Sequence, residues 1–261
     1  MNKAAKTALI TGATSGIGYE LAKIHAATSG NLVLVARSEE KLKQISAEFQ
    51  EKYGIACHII VKDLQQTNAA QEVFAEVNSA KISVDYLINN AGFGINSPFA
   101  ETDYEKITGM LDLDVRALTQ LTHLFVNQML ERGNGKILNV ASIAAFTPGA
   151  FMAVYCAAKA YVLSFSEAIR YETLNSGVTV TAVSPGPTQS NFMAVSSFDQ
   201  SPMLKGKTLP SPVNVAQTAY KAMLKGKRNV IPGWGNKITV FALKLVPHDL
   251  GIKLAGDLMR K

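Results

Sequence analysis

The sequence predicts an α/β fold: a doubly wound parallel sheet with helices on both faces. Three observations predict it. Short apolar runs alternate along the chain with longer segments of helical periodicity, the pattern of consecutive βαβ units. Most runs are continuously rich in Val, Ile and Leu rather than alternating, as strands are when helices cover both sides of the sheet. The 261 residues are 48% hydrophobic, enough for one sizeable core, so a single domain over 1–261 is expected.

In order, the candidate strands are 7–10, 31–36, 56–61, 84–89, 136–142, 178–184 and 229–231. The helical segments between them are 16–29, 39–52, 67–80, 103–131, 153–175 and 213–225. Residues 189–212 hold several serines and three prolines, two of them at the end, and read as a long irregular excursion, the expected substrate loop. The tail at 236–261 is apolar and basic. Ile238, Phe241, Leu245, Leu250 and Leu254 among others need a cover, for which the pocket, a second subunit and a membrane surface are the choices. Pro247 splits this stretch into two short segments ill suited to deep insertion, so packing on the pocket or a subunit is expected and membrane-surface association is the lesser alternative.

Composition excludes several classes. The net charge is +6, with +9 in 201–261 and −3 in the first 200 residues, but the cations are dispersed among apolar residues and no nucleic-acid module is present. Cys57 and Cys156 lack paired or metal-ligand spacing, which suits a reducing, cytoplasmic setting. No leader peptide is expected, and no run of roughly 20 apolar residues occurs. His25, His58, His123 and His248 have no partner spacing, so no metal is expected.

The first chemical signal is Thr11-Gly12-Ala13-Thr14-Ser15-Gly16-Ile17-Gly18, between the first strand and first helix. Glycines there let the backbone approach a pyrophosphate, and the open N–H groups of the helix start bind its charge. The Gly-x-x-x-Gly-x-Gly spacing differs from the generic dinucleotide fingerprint, and a plain glycine-rich turn is the alternative. At the end of the second strand, where a NAD site carries an acid, stand Ala36 and Arg37. A guanidinium pairs with a 2′-phosphate, so NADP(H) is expected, with Ser38 adding a hydrogen bond. Arg37 as an ordinary surface cation is the alternative.

The second signal is Tyr155 with Lys159, four apart in a helical segment and therefore on one face. An ammonium beside a phenol favours phenolate and brings the hydroxyl toward the range in which it exchanges protons with substrate. Thirteen residues earlier Ser142 ends the fifth strand, at the sheet edge where an open α/β fold places its crevice. Cys156 points off the tyrosine face and is read as packing.

In order and spacing, Thr11–Gly18, Asn89-Asn90-Ala91-Gly92, Ser142, Tyr155 with Lys159, and Pro185-Gly186 resemble the short-chain dehydrogenases/reductases over nearly the whole chain. The resemblance implies a Rossmann-type domain with a seven-stranded parallel sheet, a homodimer or homotetramer, and a small carbonyl or alcohol as substrate. It implies that Ser142 holds the substrate oxygen and Tyr155 transfers the proton, while Lys159 bonds the ribose and lowers the tyrosine pKa. Asp63 and Leu64 match the segment facing the adenine. Asn90, Ala91 and Gly92 match the segment over the cofactor, although a purely structural turn is equally open for Asn90. Pro185, Gly186, Thr188 and Ser190 match the segment bracketing the nicotinamide. Where the family carries an Asn in its catalytic set, this chain has Asp114. A main-chain role survives that change and an amide-donor role does not, and a carboxylate near Lys159 would offset the lysine charge. The implied activity is NADPH-dependent carbonyl reduction, with 3-ketoacyl reduction as a competing substrate reading. An NADP(H)-sensing binding protein on the same fold is the reading of another class, disfavoured because Ser142, Tyr155 and Lys159 are all retained.

Overall fold

The computed structural model describes residues 5–190 and 209–259. Seven parallel strands form one sheet in the order β3-β2-β1-β4-β5-β6-β7. They are β1 Thr7–Thr11, β2 Asn31–Ala36, β3 Cys57–Val61, β4 Tyr86–Asn89, β5 Gly135–Val140, β6 Val178–Val183 and β7 Asn229–Val230. The helices are α1 Gly16–Ala26, α2 Glu39–Tyr53, α3 Ala69–Ser79, α4 Tyr104–Leu111, α5 Leu118–Glu131, α6 Ala153–Glu172, α7 Pro212–Leu224, α8 Trp234–Leu245 and α9 His248–Met259. This is the Rossmann-type arrangement that the sequence predicts.

Alternation along each strand sends neighbours to opposite faces. Ala8, Ile10, Leu32 and Leu34 pack with Leu21 of α1, Phe49 of α2 and Met223 of α7. Leu9, Val33 and Val35 pack with Val73 of α3 and Phe125 of α5. Strand order reverses beside β1, so the loops after β1 and β4 leave the same sheet edge side by side. That places a crevice at their carboxyl ends.

The structure corrects several element boundaries. The long helix expected at 103–131 is α4, a π turn at Asp112–Ala117 and α5. Ser142 is not part of β5: it caps a short 3₁₀ turn at Ile143–Phe146, accepting from the Ala144 N–H at 3.1 Å. Ser211 caps α7 and Pro212 is its first residue, so the excursion ends there. Most of the excursion, 191–208, lies outside the described residues, but the Gln189 N–H donates to the Pro210 carbonyl at 3.0 Å and joins its two ends.

The tail is helical on both sides of Pro247, as the split implied. Val240 is buried, and Met259 packs beside Met152 and Tyr155. Trp234, Ile238, Phe241 and Leu245 recur at helical spacing and are exposed, so the tail covers the pocket only in part. Among the described residues no helix is long and apolar enough to cross a membrane, and no cluster of three metal-ligating side chains occurs.

His25 shows why a lone histidine belongs to the core here. Its Nε2 lies 3.0 Å from the Lys6 carbonyl, which only accepts, so Nε2 carries the proton and Nδ1 accepts from the Tyr220 hydroxyl at 2.8 Å. Burial holds its pKa below the usual histidine value. The unfolded chain therefore takes up a proton that the folded chain refuses, and this part of the stability is present above the unfolded value and lost as pH falls through it. Between about pH 7 and pH 5 the urea midpoint is expected to fall more steeply for the wild type than for His25→Gln. Equal slopes would contradict this.

Candidate active site

The loop after β1 is fixed by close backbone contacts. Gly12 has φ +66°, and a Cβ there would lie 2.9 Å from the Ala91 Cα. A Cβ on Gly18 would strike the Gly12 carbonyl oxygen and the Asn90 amide. The loop and the segment after β4 thus interlock closely enough to leave no room for a side chain at Gly12 or Gly18. Asn90 Nδ2 donates to the carbonyls of Thr11 at 2.9 Å and Gly12 at 3.2 Å. The N–H groups of Asn90 and Ala91 both donate to Thr11 Oγ1 at 3.0 Å. The Asn90 side chain is therefore committed to holding the loop, which favours the structural of its two readings.

α1 begins at Gly16 with Ser15 extended before it, no side-chain cap bond and no acid in its first turn. Its open N–H groups suit an anion. Ser190 is brought against this loop, with its Cβ 3.0 Å from where a Gly16 Cβ would stand. The segment between them is braced internally: Thr188 Oγ1 donates to the Gly186 carbonyl at 2.9 Å and Ser190 Oγ to the Thr188 carbonyl at 3.3 Å. Asn236 of α8 packs on Gly186.

Arg37 is exposed at the end of β2 and has no partner among the described residues. Ser38 is extended and its hydroxyl makes no cap bond. Between α1 and α2 lies an open cavity of about 330 Å³ lined by Thr14, Ser15, Tyr19, Lys41, Gln44 and Ile45. Lys41 was invisible to the motif reading because it sits in an ordinary charged helix. Asp63 is spent partly on its own turn, accepting from the Gln65 N–H at 3.0 Å, and Leu64 is buried in the core.

Four side chains meet below this loop. Tyr155 and Lys159 share the inner face of α6, with Lys159 Nζ 5.7 Å from the phenol ring centre. The Tyr155 hydroxyl hydrogen-bonds the Ser142 side chain. Ser142 is held by its cap bond and by donation to the Pro185 carbonyl at 3.5 Å, and the Ile143 N–H donates to that same carbonyl at 2.9 Å. Lys159 Nζ donates to the Val140 carbonyl at 3.2 Å and pairs with Asp114 Oδ1 at 2.6 Å. Asp114 Oδ2 accepts from the Phe93 N–H at 3.1 Å.

Burial pushes the Tyr155 phenol above its usual range, opposed by Lys159 and Ser142 and reinforced by Asp114. Burial works against the Lys159 charge, but the Asp114 carboxylate outweighs it and keeps the ammonium protonated beyond its ordinary range. Asp114 feels the reverse balance: burial drives it toward its neutral form, while the ammonium and the Phe93 N–H favour the carboxylate. At 2.6 Å the ionised pair is the state these contacts describe.

Beside Tyr155 a small pocket is walled by Ile95, Phe99, Ile107, Met110, Phe151 and Met152. Phe151 holds a left-handed φ of +65°, and its carbonyl accepts from the Ser97 N–H at 2.8 Å, locking the pocket rim. Sequence reading placed substrate recognition in 189–212 and missed this wall. The signal available was the apolar pair Ile95 and Phe99 just after the Asn-Asn-Ala-Gly turn. It also missed the buried network beneath the turn, in which Asn89 Nδ2 donates to Thr122 Oγ1 and Asn139 Oδ1, and Asn139 Nδ2 donates to Ser166 Oγ.

Residues 6–201 match the family described as short chain dehydrogenase. A ketoacyl reductase, HetN, of Nostoc sp. is 33% identical over 241 residues, covering 92% of this chain and 83% of that protein. A very-long-chain 3-oxoacyl-CoA reductase of Anas platyrhynchos is 34% identical over 200 residues, 74% of this chain and 64% of that longer protein. Among solved structures, a short-chain dehydrogenase from Sphingobium yanoikuyae in complex with NADPH superposes with a TM-score of 0.82 at 29% identity, covering 92% of each chain.

Proposed function

Since the chain belongs to the short-chain dehydrogenase/reductase family, we propose that this oxidoreductase uses NADP(H) to reduce a carbonyl carried on an apolar chain, with Tyr155 as proton donor. The observation that carries this reading is the convergence of Ser142, Tyr155 and Lys159 between a glycine loop and an apolar pocket. The residues present fit a dinucleotide. The Gly12–Gly18 turn leaves backbone N–H groups open at the start of α1, and Ser190 packs closely against Gly16 of that turn. Ser15, Arg37, Ser38 and Lys41 would hold a 2′-phosphate. Thr188 and Ser190 would meet the nicotinamide, Asp63 with Leu64 the adenine, and Ala91 with Gly92 the span between. When bound, the cofactor supplies the hydride.

The protein's own part is to place and charge the other groups. Ser142, fixed by the turn it caps, holds the substrate oxygen beside the phenol. Tyr155 gives that oxygen its proton. Lys159, with two of its protons committed to Asp114 and Val140, has the third left for ribose hydroxyls. The mostly apolar lining beside Tyr155 favours an apolar group next to the reacting carbonyl over a sugar or a charged acid. A 3-ketoacyl thioester is the substrate class that the two ketoacyl reductase relatives favour. Steady-state rates with NADPH and a panel of ketones, aldehydes and 3-ketoacyl thioesters test this, and rates highest on small hydrophilic carbonyls would overturn the apolar assignment.

Cofactor choice has its own test. Ala36→Asp with Arg37→Ala exchanges a cation for an acid at the end of β2, and is expected to cost about tenfold or more in NADPH affinity while improving NADH. Fluorescence titration of each cofactor reads this out. A wild type that binds both cofactors equally would contradict it.

A further inference from the structure

Asp114 is the one departure from the family pattern in this group of side chains, and the structure builds a site for it. The π turn at Asp112–Ala117 carries it inward, and its side chain is wholly buried against Lys159, itself 6% exposed. The Phe93 N–H fixes one oxygen, and the missing side chain of Gly92 makes room for the other, since a Cβ there would stand 2.6 Å from Oδ1. These contacts leave the carboxylate one orientation, toward the lysine.

We propose that Asp114 is a positioning residue that cancels the Lys159 charge and keeps Tyr155 in its proton-donor form, setting this chain to reduce carbonyls rather than oxidise alcohols at neutral pH. This rests on the functional reading above. A free ammonium beside a buried phenol would stabilise phenolate. Here the ammonium belongs to an ion pair of zero net charge, so ionising Tyr155 would create a net negative charge in a buried site. The other groups that face Tyr155 do not restore the balance. Ser142 is neutral, Met110, Met152 and Met259 are apolar, and the Cys156 thiol, which packs in the same cluster as Tyr155 and not off its face as the spacing implied, is pushed by burial up to about 11 and stays protonated.

The consequence follows the chemistry of each direction. In reduction, the carbonyl carbon takes hydride from NADPH, which becomes NADP⁺, and the oxygen takes the Tyr155 proton; the phenolate then regains a proton from solvent. Oxidation of an alcohol runs the reverse and needs phenolate at the start. A phenol that resists ionisation keeps reduction running into the alkaline range and delays oxidation to higher pH.

The test is an ultraviolet titration of tyrosinate in cofactor-free protein, with Tyr155→Phe subtracted, for the wild type and Asp114→Asn. The Tyr155 midpoint is expected to fall by about one pH unit or more in the variant. The pH profile of alcohol oxidation should move toward acid by the same amount. Asp114→Ser serves as the second variant if the Asn protein does not fold. An unchanged or raised midpoint would overturn the proposal, even with normal turnover. A lowered midpoint in a protein that turns over no carbonyl would uphold the electrostatic assignment and overturn the enzymatic reading instead.

Discussion

Replacing Tyr155 with phenylalanine is expected to lower turnover by about 10²–10⁴-fold while NADPH affinity stays within a few-fold of the wild type. The variant keeps the ring packed among Met110, Met152 and Cys156 and removes only the hydroxyl. Ser142 loses one hydrogen bond but retains its cap bond and its contact with Pro185, so the lost interaction costs about 1 kcal/mol of stability. Fluorescence titration separates cofactor binding from chemistry. A Tyr155→Phe protein that still reduces substrate at more than about a tenth of the wild-type rate would remove the tyrosine from the proton-transfer role.

Lys159→Met has the largest expected effect on the fold. It leaves the Asp114 carboxylate buried beside an apolar chain, and stranding one member of a buried pair costs about 3–5 kcal/mol. The penalty depends on pH in a definite direction. Without the ammonium, Asp114 titrates higher in the folded than in the unfolded protein, so the penalty is absent below the unfolded value of about 4 and grows as pH rises above it. Urea midpoints for the variant should therefore approach those of the wild type on acidification. Adding Asp114→Asn should recover most of the loss at neutral pH, because the uncompensated charge is gone. A single variant as stable as the wild type at neutral pH would show that the 2.6 Å pair carries no stabilising charge interaction.

The strand positions and the loop after β1 were legible because they depend on local pattern: apolar runs of the right length, and glycines where a strand turns into a helix. Arg37 and the Tyr155–Lys159 pair were legible because one sits at a strand end and the other on one helix face. What the pattern hid was tertiary in origin. The π turn at Asp112–Ala117 is not written in the periodicity of 103–131; it accompanies the docking of Asp114 on Phe93 and Lys159. Ser142 looked like a strand residue because its neighbours are apolar, yet its hydroxyl caps the next turn. The pocket wall joins residues 95–110 to Phe151 and Met152 across some fifty positions, which spacing alone does not bring together. Lys41 and the exposed ridge of α8 are common residue types whose significance lies only in where the fold puts them.

On the proposed function, this site passes hydride from NADPH to a carbonyl carbon with Tyr155 supplying the proton. Deuterated NADPH, carrying its label on the transferable position of the nicotinamide, tests this most directly when incubated with the purified protein and an apolar ketone or 3-ketoacyl thioester. Deuterium is expected on the carbinol carbon of the product with the wild type, and little or none over the same interval with Tyr155→Phe despite comparable NADPH binding. A wild-type protein that binds NADPH yet transfers no label to any carbonyl of the panel would contradict it, and would leave a cofactor-sensing role in its place.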